Sequence, residues 1–304
     1  MANSNWTSAN IPDQTGKSIL ITGANSGLGL EAAAVLSQKG ANVIMAVRNL
    51  DKGKEAVAHI KNINPTAKLD LMQLDLGDLD SIKRFSDAFH AKYQKLNVLI
   101  NNAGIMAPPK RETTKQGFEI QFGTNHLGHF ALTGLLLDVI KKTPGAVVAT
   151  QSSLVHKQSK GIRFDDLNWE KSYSKWQAYA QSKLANLLFG YELDRRFKAN
   201  KTDAISTVAH PGYTETNLQN LSGFMVSVIA NKLLAQKVDI GTLPILRAAT
   251  DKDLKGGEFT GPTKFMEMHG YPELVKSSAV SYDAAMAKKL WDVSEKLTGV
   301  RYSF

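Results

Sequence analysis

Six short runs rich in Val, Ile, Leu and Ala recur along the chain, with helix-length amphipathic stretches between them. The runs are Ser18–Thr22, Asn42–Val47, Lys68–Leu74, Asn97–Ile100, Ala146–Thr150 and Ala204–Ala209. Most lack the polar alternation of a strand with one wet face. They read as strands covered on both faces, as in a parallel sheet. The stretches around Leu28–Lys39, Lys52–Asn62, Leu79–Tyr93, Gly117–Lys141 and Lys175–Lys198 would supply the cover. This alternation predicts an α/β fold, a doubly wound parallel sheet with helices on both faces. No Pro- or Gly-rich linker, low-complexity tract or repeat interrupts it, so residues 1–304 read as one domain.

Composition removes several functions. The chain has no cysteine, which excludes disulfides, thiolate metal sites and cysteine nucleophiles. Met1 to Thr15 is polar and carries no secretory signal pattern. No run reaches about 18 apolar residues, so no stable membrane insertion is expected. A cytoplasmic location is the expectation. The net charge is +9, from 37 basic and 28 acidic residues. The basic residues are dispersed, as in the separated pairs Lys110-Arg111, Lys141-Lys142, Arg195-Arg196 and Lys288-Lys289. That distribution argues against a nucleic-acid partner, while a basic surface still attracts small anions.

The first strand runs into Thr22-Gly23-Ala24-Asn25-Ser26-Gly27-Leu28-Gly29, and a helical pattern follows. Gly23, Gly27 and Gly29 permit a sharp turn, close approach of the backbone to a pyrophosphate, and tight helix–strand contact. Asn25, Ser26 and Leu28 lie within the same turn, where free N–H groups at the helix start favour anions. This is the signature of a Rossmann-type dinucleotide site. Gly16-Lys17-Ser18 is not a Walker loop, because Ile11 stands where that motif needs glycine and a strand begins where it needs a helix. The second strand ends at Arg48-Asn49 rather than at the acidic residue that would accept a ribose 2′-OH. A guanidinium here suits a 2′-phosphate, so NADP(H) is the expected cofactor.

Further on, Tyr179-Ala180-Gln181-Ser182-Lys183 puts a phenol and an ammonium on one helix face. The ammonium is expected to lower the tyrosine pKa from about 10 and so to tune it for proton exchange.

These features, taken with Asp75-Leu76, Asn101-Asn102-Ala103-Gly104, Asn125, Ser152-Ser153 and Pro211-Gly212-x-x-x-Thr216, resemble the short-chain dehydrogenase/reductase family over residues 16 to 300. Asn125-His126-Leu127-Gly128-His129-Phe130, Phe164-Asp165-Asp166-Leu167-Asn168-Trp169 and the ending Leu290-Trp291 to Gly299 resemble its retinol-dehydrogenase-like branch. The resemblance implies that residues 16–150 mainly bind cofactor and that 151–304 carry catalysis and substrate. It makes Tyr179 the general acid or base, and Ser153, rather than Ser152, the hydrogen-bond donor to the substrate oxygen. Lys183 would lower the Tyr179 pKa and bind the nicotinamide ribose, and Asn125 would hold a relay water. Asp75 and Leu76 would meet the adenine, with Asn102, Ala103 and Gly104 forming a wall against its ribose. Pro211, Gly212 and Thr216 would face the nicotinamide.

Ser153 precedes Tyr179 by 26 residues, about double the family's usual gap. The extra loop, roughly Val155 to Ser174, is expected at the substrate mouth. Apolar residues between about 214 and 236 imply a substrate lid, or else a core helix. The expected substrate is a small hydrophobic carbonyl compound or alcohol. An NADPH-binding sensor on the same fold is the alternative. The His126 and His129 pair lacks a third ligand in sequence, so packing is expected and no metal. A homodimer and a monomer are both compatible with the family.

Overall fold

The computed structural model describes residues 5–214 and 236–304. Each of the six apolar runs becomes a strand: β1 (Ser18–Thr22), β2 (Asn42–Val47), β3 (Lys68–Gln73), β4 (Val98–Asn101), β5 (Val147–Gln151) and β6 (Ile205–Ala209). Two more, β7 (Phe259–Lys264) and β8 (His269–Leu274), complete an eight-stranded sheet of order β3-β2-β1-β4-β5-β6-β7-β8. The sequence reading missed this pair because each strand contains Gly and Pro, which ordinarily argue against a strand interior. The sheet is parallel apart from the β7–β8 hairpin.

The helices are α1 (Gly27–Gln38), α2 (Leu50–Ile63), α3 (Leu79–Lys92), α4 (Ile120–Phe122), α5 (Gly128–Leu135), α6 (Leu137–Lys142), α7 (Lys175–Ala199), α8 (Val238–Thr250) and α9 (Ala284–Thr298). Strand side chains alternate between two cores, as the pleat requires. Leu20, Ile44, Leu99 and Val148 join Phe85 and Phe89 of α3, Phe130 of α5, Phe189 of α7 and Trp291 of α9. Their neighbours Ile19, Ile21, Met45, Ile100 and Ala149 join Ala33 and Leu36 of α1, Ile60 of α2 and Leu246 of α8. Both faces are thus dry across β1, β2, β4, β5 and β6, which is why those runs show no polar alternation, whereas the edge strand β3 has no buried residue.

The helix expected across Gly117–Lys141 runs from Ile120 to Lys142 with two irregularities. The Glu119 carboxylate accepts the Phe122 N–H at 2.7 Å and starts α4 only at Ile120. Gly123–Leu127 is a π-helical turn, and Leu136 separates α5 from α6. The wide turn coincides with Asn125, whose amide is drawn to the backbone of Ile105: Nδ2 donates to Ile105 O at 2.9 Å and Oδ1 accepts from Ile105 N at 2.7 Å. The strand order reverses between β1 and β4, and a crevice beyond the strand carboxyl ends follows from that reversal.

Candidate active site

The crevice is a continuous trough of three connected cavities. The first, about 490 Å³, is lined by the β1–α1 turn from Gly23 to Leu28, by Arg48, Asn49, Asp75 and Leu76, and by Asn102, Ala103 and Gly104. A second, about 90 Å³, shares Leu28, Asn102 and Gly104 and adds Gln151, Ser153, Tyr179, Lys183 and Pro211. The third, about 230 Å³, shares Met106, Ser153 and Tyr179 with the second and is otherwise mostly apolar. Residues expected from sequence to bind dinucleotide and residues expected to act on substrate therefore meet in one channel.

At the dinucleotide end the walls are mostly backbone. Gly23 and Gly27 have φ of 68° and 52°, where a side chain would be strained. A Cβ on Gly29 would lie 2.4 Å from the Gly23 carbonyl oxygen and 2.6 Å from Asn102 Nδ2. Ser26 precedes α1 without capping it through its side chain, so the first N–H groups of α1 are open to an anion. Thr22 ties β1 to the facing loop. Its hydroxyl accepts the N–H groups of Asn102 and Ala103 at 2.9 and 3.0 Å. Its own proton then points to His129 Nε2 at 2.9 Å, and His129 Nδ1–H donates to the Asn125 carbonyl at 2.9 Å. Burial pushes the His129 pKa down to about 4, which keeps the ring neutral as this chain of bonds requires. His126 is buried between Phe122 and Phe130 and bonds the Ser294 hydroxyl at 2.9 Å. Arg48 is exposed at the cavity edge, and Lys52, which the sequence reading missed, lies beside it. Asn49 caps α2, accepting from Lys52 N at 3.0 Å. Asp75 Oδ1 accepts from Gly77 N at 2.9 Å.

In the second cavity, α7 presents Tyr179 and Lys183, each nearly fully buried. The Lys183 ammonium stands 5.7 Å from the Tyr179 ring centre and donates to the Gln151 carbonyl at 3.2 Å. The two serines divide. Ser152 Oγ donates to the Lys183 backbone carbonyl at 2.8 Å, whereas the Ser153 hydroxyl meets the Tyr179 phenol. Asn125 Nδ2 also donates to Ser182 Oγ at 2.9 Å, so its side chain braces α7 and the β4–α4 loop together. Gly104 sits between, where a Cβ would come within 3.2 Å of Asn125 Oδ1 and 3.5 Å of Lys183 Nζ.

In the unliganded chain, burial dominates both groups. The Tyr179 pKa is not lowered; burial pushes it up to about 12, and the Ser153 hydrogen bond only partly opposes that. Burial equally drives Lys183 down to about 8. Each shift follows from loss of water around the charged form.

The third cavity draws on Leu154, Val155 and Gln158, on Trp176 of α7, on Gly212 and Tyr213, and on Met268 of the β7–β8 hairpin. Of the extra loop, only its first turn reaches this pocket; Arg163 instead covers the Trp169 ring at 4.2 Å. Pro211 and Gly212 lie in the trough, and the Pro211 carbonyl accepts from Gln236 Nε2 at 2.6 Å. Thr216 and most of the expected 214–236 lid lie outside the described residues. Among the described residues, no helix is long and apolar enough to cross a membrane.

A family model described as short chain dehydrogenase matches residues 17–164. The chain is 38% identical to Short-chain dehydrogenase TIC 32 B, chloroplastic, of Brassica napus, over 91% of this chain and 87% of that one. It is 37% identical to human Retinol dehydrogenase 14, over 94% and 87%. A crystal structure of an uncharacterised protein from Mycobacterium paratuberculosis superposes with a TM-score of 0.84 at 41% identity, covering 99% of this chain and all of that one.

Proposed function

The chain belongs to the short-chain dehydrogenase/reductase family of nicotinamide-dependent oxidoreductases, and from that premise we propose that it is an NADP(H)-dependent enzyme interconverting an apolar ketone or aldehyde and its alcohol. The observation that carries this reading is the position of Tyr179 and Ser153, which line both the catalytic cavity of the trough and the apolar pocket beside it.

The residues fit the cofactor. The open start of α1 and the Gly23–Gly29 turn would hold the pyrophosphate. Arg48 and Lys52 would take the 2′-phosphate, with no carboxylate at Arg48 or Asn49 to favour a bare ribose. Asn102, Ala103 and Gly104 would back the adenine ribose. The bound nicotinamide supplies or accepts the hydride. The chain's own groups handle the proton. With its pKa near 12, Tyr179 is a phenol at neutral pH and so is set to donate its proton to a carbonyl oxygen during reduction. Ser153 polarises the same oxygen and stabilises the charge that grows on it. Lys183, held by the Gln151 carbonyl, would help return a proton to the phenol. In the oxidative direction the phenolate is the base, so alcohol oxidation is favoured by rising pH. The intact set of Asn125, Ser153, Tyr179 and Lys183 favours an enzyme over a cofactor sensor.

The test is loss of NADPH absorbance with a panel of apolar ketones and aldehydes, with NADH in parallel. Turnover with a preference for NADPH is expected. Tight NADPH binding with no turnover across the panel would favour a sensor.

A further inference from the structure

Three separate segments wall the apolar pocket beside Tyr179, and one carboxylate reaches behind all of them. Leu154 and Gln158 come from the turn Leu154–Gln158 that follows Ser153, Gly212 and Tyr213 from the loop after β6, and Met268 from the β7–β8 hairpin. Glu267 immediately precedes Met268. Its Oε1 pairs with Lys157 Nζ at 2.8 Å, next to Gln158. Its Oε2 lies 3.4 Å from Nε2 of His210, which opens the His210-Pro211-Gly212 run. His210 is fully buried, and its Nδ1 accepts from Gly212 N at 3.3 Å, so the ring proton sits on Nε2 and faces the carboxylate. Neither Nε2 nor Oε2 has a hydrogen-bond partner elsewhere among the described residues. The His210 and Lys157 contacts hold the Glu267 carboxyl down to about 2, while burial pushes the His210 pKa down and keeps that ring neutral.

The tip of the hairpin needs such an anchor. Phe265, Met266 and Glu267 have φ of 50°, 56° and 65°, a left-handed run that residues other than glycine adopt at a cost. Phe265 and Met266 are exposed, so burial of their side chains does not offset it. Two backbone bonds help, Met268 N to Phe265 O at 3.2 Å and Tyr213 N to Met268 O at 2.9 Å, but neither reaches the turn after Ser153. The Lys157 pair does. We propose that Glu267 is a positioning residue for the carbonyl site: its carboxylate clamps the hairpin against the turn after Ser153 and the loop that carries Gly212, and so sets how wide the apolar pocket is and how large a carbonyl compound it takes. This rests on the carbonyl reading above. It adds a control on substrate size that lies behind the pocket, in a side chain that lines none of the three cavities.

The test is steady-state turnover of the full chain with NADPH, using butanone as the compact ketone and acetophenone as the bulkier one. Glu267→Gln keeps the shape of the side chain and removes its charge. It should raise KM for butanone about fivefold and leave or lower KM for acetophenone, with kcat and the NADPH dissociation constant within about twofold of wild type. Lys157→Met breaks the same link from its exposed side. It should shift the butanone-to-acetophenone ratio of kcat/KM in the same direction, and the double variant should go no further than Glu267→Gln alone. It also serves if Glu267→Gln does not fold. A carboxylate that only stabilises the fold would lower the melting temperature and leave that ratio alone, so an unchanged ratio in the folded variants overturns the proposal. An equal fall in kcat for both ketones, or additive effects in the double variant, overturns it too. A wild-type chain that binds NADPH but reduces no apolar carbonyl compound overturns the carbonyl reading and the proposal with it, an outcome distinct from the others.

Discussion

The two ends of the trough are built from different materials. The dinucleotide end is made of main chain: the Gly23 to Gly29 turn, the open start of α1, and the loop fastened to β1 through Thr22. The carbonyl end is made of side chains from distant parts of the chain: Met106, Leu154, Gln158, Trp176 and Met268. A site made of backbone admits few substitutions, because each added atom meets another backbone atom. One made of side chains can change what it accepts while the sheet beneath stays as it is. The difference explains how one fold keeps its cofactor while its substrates vary.

The sharpest division between the ends is predicted at Tyr179, which touches both. Tyr179→Phe should lower kcat about a thousandfold while leaving the NADPH dissociation constant within about twofold. Stopped-flow turnover and fluorescence titration on the same preparation would read both quantities; kcat within tenfold of wild type would remove the phenol from its role. The dinucleotide end should fail differently. Gly29→Ala forces a Cβ to within 2.4 Å of the Gly23 carbonyl oxygen, and neither atom can swing aside. A destabilisation of about 1–3 kcal/mol is expected, together with loss of cofactor affinity. Thermal unfolding and titration would check it, and an unchanged melting temperature with intact binding would show that the turn yields more than its geometry allows.

The same contrast governs what could be read from sequence. Five of the seven parallel strands, β1, β2, β4, β5 and β6, were legible because dryness on both faces writes an apolar run. The Gly23–Gly29 turn was legible because only glycine accepts that backbone. The β7–β8 hairpin was not, since Thr-Gly-Pro-Thr and His-Gly-Tyr-Pro look like loops, and pairing against a parallel edge leaves no local mark. Met268 was invisible for that reason, although it reaches the pocket beside Tyr213. Helix spacing brought Tyr179 and Lys183 together, but burial was not legible in it. Spacing carries proximity and says nothing of desolvation, which pushes Tyr179 up to about 12. The wide turn at Asn125 was hidden likewise, because the amide's backbone partner, Ile105, lies twenty residues earlier.

A smaller effect should separate two parts of the dinucleotide end itself. Arg48 is exposed at the edge of the cavity, where a charged partner is half in water. Arg48→Asp should weaken NADPH binding by about ten- to a hundredfold and NADH binding by threefold or less. Parallel titrations would decide it, and equal losses would move the 2′-phosphate contact to Lys52 or elsewhere.

The mildest change is expected at the carbonyl end, where the comparison makes its least obvious claim. Met268 lies on the β7–β8 hairpin, and its main chain is engaged: its carbonyl accepts from Tyr213 N at 2.9 Å and would lie 2.4 Å from a Cβ on Gly212. The position of the backbone is therefore held by the loop that closes the trough, while the thioether only fills space in the 230 Å³ pocket. Removing it enlarges the pocket without disturbing Pro211 or Gly212. Met268→Ala should raise KM for small ketones about two- to fivefold, the loss of a part-buried thioether contact, and should leave kcat and NADPH affinity near wild type. Bulkier ketones should lose less or gain. A fall in kcat for every substrate alike would mean that the hairpin positions the Tyr179–Ser153 pair, and that the carbonyl end is as dependent on backbone as the dinucleotide end.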